Sequence, residues 1–393
     1  MARGADVIIV GGGIVGVACA YALTRAGIRR VVLVERGELG RQASRAAAGM
    51  LAPQAEAEGS GPFLDLCLAA RDRYRTLAGE LRDATGEDIE YCNWGLLHLV
   101  DPTVQEAARG RAAWQRALGL RVEEVSGQAL RALEPRLDLE IGGALFFPDE
   151  AHVRPCAVVR ALTAGARQAD AQIFENVEAV DFIISEDRLR GVRAGGETIL
   201  ADSIVACAGA WTGHLLDLIG HRLPTEPVRG QIVRARFERP PLSHLVWGPL
   251  GYLVPRLNGE LLVGATVERA GFDATPTLEG VAGLCEAARA MAPGLMAAPF
   301  DRAWAGLRPR LPDGLPAIGR FPDIPNLYVA TGHYRNGILL GPLTGELVAD
   351  LALGKEPRVP LDAFSPGRFA RQSSPEDRRE NCVHPHGGKT ARH

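Results

Sequence analysis

A short, largely apolar stretch from Asp6 to Val10 runs directly into Gly11-Gly12-Gly13-Ile14-Val15-Gly16, and nothing else in the chain restricts its fold as strongly. A helical pattern follows to Ala26, Gly27 stops it, and a second apolar strand, Val31 to Val34, ends in Glu35. This order of strand, glycines, helix, strand and acid is the fingerprint of a dinucleotide-binding βαβ unit. Gly11 permits the tight turn, Gly13 lets backbone approach a pyrophosphate, and Gly16 lets the helix pack closely on its strand. The helix N-terminus supplies unpaired N–H groups and the positive end of a dipole. Glu35 can accept hydrogen bonds from an adenosine ribose; its charge disfavours a 2′-phosphate, so NAD or FAD is preferred over NADP. The run Val7 to Leu23, with Ala18-Cys19-Ala20 inside it, also invites reading as a secretory leader. Asp6 at its mouth and its glycine content argue against that, and it is short for a membrane span.

Two later strands also end in small residues: Ser203 to Cys207 leads into Ala208-Gly209-Ala210-Trp211, and Leu327 to Ala330 into Thr331-Gly332-His333. In an open parallel sheet, ligands lie outside the carboxyl ends of the strands, so these turns and the Gly11 loop are expected to line one crevice for a long, two-part cofactor. A final helix opens after Gly332 and stops at Gly354; its N-terminus would stabilise negative charge on a reduced flavin. The small residues from Gly40 to Pro53 let backbone pass close to a planar ligand. Phe63 to Gly119 reads as helical and amphipathic, with Asp65, Arg71, Arg73, Arg75, Arg82 and Asp83 on its solvated face. A helix is expected from Pro155 to Ala169, and strands over Gly230 to Arg236 and Gly251 to Glu268, the latter turning at Asn258-Gly259. The polar chain beyond about Ala370 is expected to be disordered.

Composition narrows the chemistry. The 393 residues are 47% hydrophobic and 23% charged, with a net charge of −3, which describes a globular protein without the basic excess that nucleic acid or an anionic membrane would attract. Lysine occurs only at Lys355 and Lys389, so Schiff-base chemistry on a core lysine and a P-loop are excluded. Seven scattered cysteines with no CxxC pair point away from disulfides and zinc and toward a reducing cytoplasm.

Several stretches together resemble the glycine oxidase branch of the D-amino-acid-oxidase-like flavoproteins, which is associated with making the thiazole of thiamine. They are Ile8 to Gly16, Ala46 to Pro53, Tyr252-Leu253-Val254-Pro255-Arg256, Gly264 to Glu268, Trp304 to Pro309, and Gly332 to Leu340. The resemblance implies an α/β architecture: a Rossmann-type FAD-binding domain (1–85, 145–220, 305–365) and a substrate domain (86–144, 221–304) with a mainly antiparallel sheet plus helices; the tail (366–393), by which this chain departs from the family, is expected from its composition to be disordered. It implies noncovalent FAD, a small amino acid or amine substrate, oxygen as electron acceptor, and a homo-oligomer. By the same resemblance Arg308 grips the substrate carboxylate, Tyr252 sets a hydroxyl beside it, and Arg335 is a second cation near substrate and flavin. Cofactor contacts carry over to Ile14, Val15, Glu35, Arg36, Ala43, Ser44, Ala48, Gly49, Met50, Ala179 and the segment His333, Tyr334, Arg335, Asn336, Gly337, Ile338 and Leu339, beside Gly11, Gly13, Gly16, Gly209 and Gly332.

The residues themselves support these roles. Arg308 precedes Pro309, which biases its backbone to extended geometry, and a planar guanidinium takes a carboxylate through two parallel hydrogen bonds. Hydride transfer from Cα to flavin N5 needs a neutral amine and alignment rather than a dedicated base, so His333 reads as a structural or cofactor contact, with general base as its alternative role. Trp211, Trp304 and Tyr334 read as core or pocket wall. The expected reaction is oxidative deamination of glycine, with sarcosine and small D-amino acids as further candidates. A flavin dehydrogenase passing electrons to another acceptor and a non-catalytic flavin-binding module are the alternatives.

Overall fold

The computed structural model describes residues 3–138 and 142–370. Val31–Val34 is buried along its whole length, as a run with no polar side chain must be, and it pairs in parallel with Arg3–Val10. On the other side of Arg3–Val10 lies Glu197–Ala206, again parallel, with Val10 opposite Ala206; beyond it lies Leu327–Thr331, with Ala206 opposite Val329. This register brings the ends of the three expected strands side by side. Among the described residues the sheet has eight strands, the antiparallel Ala179–Ser185 and Arg188–Ala194 branching from Glu197–Ala206.

Alternate side chains of the central strand face opposite layers. Val7 and Ile9 pack under the helices Ile14–Arg25, Pro62–Thr85, Pro155–Gln168 and Gly337–Ala352, while Ile8 and Val10 meet Phe182, Leu189 and Val192 on the other side. Close helix packing depends on missing side chains: a Cβ on Gly345 would lie 2.5 Å from the Ala18 backbone, and one on Gly165 2.5 Å from the Tyr21 ring.

A second sheet, of eight strands among the described residues, follows the order Phe300–Arg310, Glu226–Arg236, Glu260–Gly264, Gly251–Pro255, Leu245–Gly248, Leu96–Val100, Gly143–Phe147 and Glu123–Val125. It is antiparallel except where Leu245–Gly248 runs parallel to Leu96–Val100. The expected hairpin turns at Gly259, whose φ of +81° few other residues adopt readily.

Two expectations are corrected. The helical reading of Phe63 to Gly119 breaks: helices Pro62–Thr85 and Gln105–Ala117 flank the strand Leu96–Val100, which Gly95 (φ +72°) turns into the second sheet. Tertiary pairing overrides the weak local preference of Leu-Leu-His-Leu-Val. Arg71, expected on a solvated face, is buried and donates to Gln54 Oε1 at 2.7 Å; Arg73 is half-buried between Glu80 and Glu346. The described part of the tail ends in the helical turn Gly367–Ala370, where Arg368 pairs with Asp313. Its remainder, 371–393, lies outside the described residues.

Candidate active site

A cleft of about 750 Å³ runs from the carboxyl edge of the first sheet to the face of the second. Its first part is built from backbone. Gly11 has φ +111°, and a Cβ there would lie 2.5 Å from Cys207 O; a Cβ on Gly16 would lie 1.8 Å from Gly11 O. The helix beginning at Ile14 gets no cap from Gly13 before it and has no acid in its first turn, so no charge of its own neutralises its positive end. Ser44 Oγ accepts from Ile14 N at 2.9 Å. Glu35 accepts from Gly12 N at 2.6 Å and Gly37 N at 2.9 Å, holding the loop against the end of its strand. Arg36 lies over Trp211, 4.1 Å from the ring centroid. The helix Gly337–Ala352 likewise presents an N-terminus without acid or side-chain cap, and Gly337 and Ile338 line the cleft.

The far end is built from side chains. Tyr252, on Gly251–Pro255, is buried, and burial raises its phenol pKa, opposed by the charges of Arg308 and Arg335; it remains a neutral hydroxyl. Arg308, on Phe300–Arg310, donates to Thr266 O at 3.0 Å and Arg229 O at 3.4 Å. It lies across Gly230, where a Cβ would come within 2.2 Å of the guanidinium. Among the described residues no carboxylate pairs with Arg308, whereas neighbouring Arg229 is held by Glu268 at 2.5 Å and Asp273 at 3.0 Å. A partly buried guanidinium with no carboxylate beside it is left to pair with an incoming anion. Arg335 is more exposed, 5.0 Å from the Trp247 ring centroid and 3.6 Å from Glu56 Oε1.

Of the expected residues, the cleft brings together Gly11, Gly13, Ile14, Val15, Glu35, Arg36, Ala43, Ser44, Ala48, Gly49, Met50, Ala179, Gly209, Tyr252, Arg308, His333, Tyr334, Arg335, Gly337 and Ile338. Four others stand behind its wall. Gly16 packs on Gly11, Gly332 (φ +76°) on Leu311, Leu339 lies in the core, and Asn336 donates to Glu56 Oε2 at 3.2 Å. His333 is buried with Nε2 3.0 Å from Thr344 Oγ1, and burial lowers its pKa to about 4. Glu56, Trp247 and Leu250 line the cleft without having been expected there. The acid at 56 follows Pro53, where the small-residue stretch ends, and that position was its only signal.

The residues present fit a flavin dinucleotide. Two helix N-termini without an acid in their first turns, glycines where a Cβ would collide with backbone, and the cleft volume suit a long anionic ligand. A family model described as FAD dependent oxidoreductase matches residues 6–351. A glycine oxidase of Bacillus licheniformis is 37% identical over 364 residues, covering 92% of this chain and 97% of that protein. The bifunctional protein ThiO/ThiG of Synechocystis sp. is 36% identical over 94% of this chain and 55% of its own length. The crystal structure of glycine oxidase from Geobacillus kaustophilus superposes with a TM-score of 0.90 at 36% identity, covering 93% of this chain and 99% of that one.

Proposed function

The chain belongs to the family of FAD dependent oxidoreductases, and from that premise we propose that it is a glycine oxidase. It converts glycine, and sarcosine or small D-amino acids if the cleft admits them, to the imine, which water hydrolyses to the oxo acid and ammonia or an amine. The observation that carries this reading is Arg308: a cleft-lining guanidinium without a carboxylate partner among the described residues, beside the buried hydroxyl of Tyr252.

When bound, FAD would supply the acceptor for the hydride leaving Cα, with O2 as the final oxidant and peroxide as its product. The glycine loop, the 43–50 segment and the 333–338 segment, which line the cleft, would hold it. Arg308 takes the substrate carboxylate through two N–H groups, and Tyr252 donates its O–H to the same carboxylate. Fixing that end leaves the small substrate few orientations, which is what these residues contribute to rate. Apolar walls from Ile232, Trp247 and Ala265 exclude water around the Cα–H bond. His333 is assigned no proton, because its Nε2 is engaged by Thr344 and its burial makes it a weak base. The amine reaches the cleft unprotonated by losing its proton to water.

The likeness to the bifunctional ThiO/ThiG protein supports a place for the product in forming the thiazole of thiamine. A homo-oligomer and a cytoplasmic setting complete the proposal. The latter is supported by unpaired thiols at all the described cysteines; among the described residues no helix is long and apolar enough to cross a membrane. The test is the visible spectrum under anaerobic conditions before and after glycine, and again in air. Bleaching that air reverses, with peroxide formed, is expected. Bleaching that persists in air would assign a dehydrogenase with another acceptor. A flavin that stays oxidised with every small amino acid would overturn the proposal.

A further inference from the structure

Arg256 follows the strand that carries Tyr252 and is almost completely buried. Tyr252 and Val254 share a face that packs with Ala48 and Ala52, and the guanidinium of Arg256 continues along it into the junction between the two sheets. Nη2 donates to Ala48 O; Nη1 donates to Val153 O at 2.6 Å and lies 2.8 Å from His152 Nδ1. The two carbonyls flank a crowded crossing. Gly49, at φ +80°, accepts from Val153 N at 2.9 Å, and a Cβ on Gly49 would lie 2.2 Å from Val153 O. Met50 and Leu51 then pair with His152 and Ala151 as a two-stranded ribbon. Ala48, Gly49 and Met50 line the cleft, so the groups that Arg256 holds lie on the outer side of that wall.

A buried cation is costly unless its donors are used, and among the described residues no carboxylate pairs with Arg256; nearby Glu260 is engaged by Arg154 and Arg234. Carbonyl and imidazole acceptors therefore carry its charge. A planar fork of donors serves two carbonyls on separate segments at once, and an ammonium on a flexible stem does so poorly. An apolar residue would leave two buried carbonyls short of a donor.

We propose that Arg256 is a positioning residue: it ties the strand bearing Tyr252 to the Ala48–Met50 wall and so sets the spacing between the cofactor wall and the substrate hydroxyl. The inference rests on FAD dependence and not on glycine being the substrate, so its readouts are independent of turnover.

The experiment compares wild type, Arg256→Met and Arg256→Lys as purified holoenzymes. The FAD dissociation constant is read from flavin fluorescence on dilution, the visible band of bound flavin from its absorbance, and the fold from tryptophan fluorescence and far-ultraviolet dichroism. Arg256→Met is expected to raise the dissociation constant at least about tenfold and to shift the visible band while the fold signals persist; Arg256→Lys should give a smaller change in the same direction. The proposal is overturned if a folded Arg256→Met keeps its dissociation constant within about twofold and its spectrum unchanged, or if flavin is lost only in step with unfolding in both variants. Should Arg256→Met not fold, Arg256→Lys decides by the same two criteria. Failure of glycine to bleach the flavin would leave these readouts untouched, which separates the two proposals.

Discussion

At the scale of single residues, the contrast between Arg229 and Arg308 decides where an anion goes. They sit on paired strands one residue out of register, yet one is neutralised by Glu268 and Asp273 and the other has no carboxylate partner among the described residues. Replacing Arg308 by Ala should therefore cost about 2–5 kcal/mol of substrate interaction, roughly 30-fold to several-thousand-fold in kcat/KM for glycine. Steady-state kinetics with flavin content measured in parallel checks this, and flavin should stay bound. Arg308→Lys should recover only part of the loss, because an ammonium cannot pair with both carboxylate oxygens in one plane. Tyr252→Phe removes one donor to a charged carboxylate and should cost about 1.5–3 kcal/mol, roughly ten- to 150-fold, appearing mainly in KM. Arg308 and Tyr252 were singled out by the resemblance of the motifs that carry them, and both line the cleft. Glu56 was not: a single acid in the short helix Pro53–Glu56 has no periodicity to mark its direction, and its meeting with Arg335 depends on a contact across nearly the whole chain.

Elements, rather than residues, carry the cofactor half of the cleft. The strand-to-helix turn at Gly11–Gly16 works because two backbones occupy the space where side chains would stand. Gly16→Ala places a methyl 1.8 Å from Gly11 O, an atom that cannot rotate away, so the helix must lift from its strand. The expected result is flavin content reduced by about tenfold or more, measured as the ratio of visible to ultraviolet absorbance; full retention of flavin would show that the turn tolerates the shift. This half was readable because local rules suffice: periodicity 2, then glycines, then periodicity 3.6, all within thirty-five residues. The second sheet was harder. Leu96–Val100 lies between two helices in sequence and becomes a strand only by pairing with Gly143–Phe147 on one side and Leu245–Gly248 on the other. Such pairing leaves little trace in five residues. Arg71 illustrates the same limit, since a helix pattern distinguishes faces but does not reveal that a polar network waits on one of them.

That network links the parts of the whole molecule. Gln54 is buried, accepts from Arg71, donates to Gln115 Oε1 and Arg121 O, and donates its backbone N–H to Glu150 Oε1 at 2.9 Å. Arg111 donates to the carbonyls of Gln54, Ala55 and Ala57, so the segment that carries Glu56 into the cleft is anchored from helices on either side of the strand Leu96–Val100. Glu150 is the group in this network that a change of pH would reach. Burial pushes its pKa up to about 8, outweighing the Arg71 guanidinium 3.6 Å away, and its Oε2 has no hydrogen-bond partner. The unfolded chain releases this proton near the ordinary value of 4.5 and the folded protein near 8. Between those values the folded state binds more protons than the unfolded state, so Glu150 supports stability fully below 4.5 and withdraws that support as pH rises through 8. Thermal midpoints of the holoenzyme should thus fall from pH 6 to pH 9 more steeply in wild type than in Glu150→Gln, which keeps an acceptor for Gln54 and cannot ionise. Taking the difference between the two proteins at each pH removes the contribution of every other titrating group. A difference that stays flat across the range would mean that Glu150 is already ionised at pH 6 and that Arg71, not burial, governs its charge.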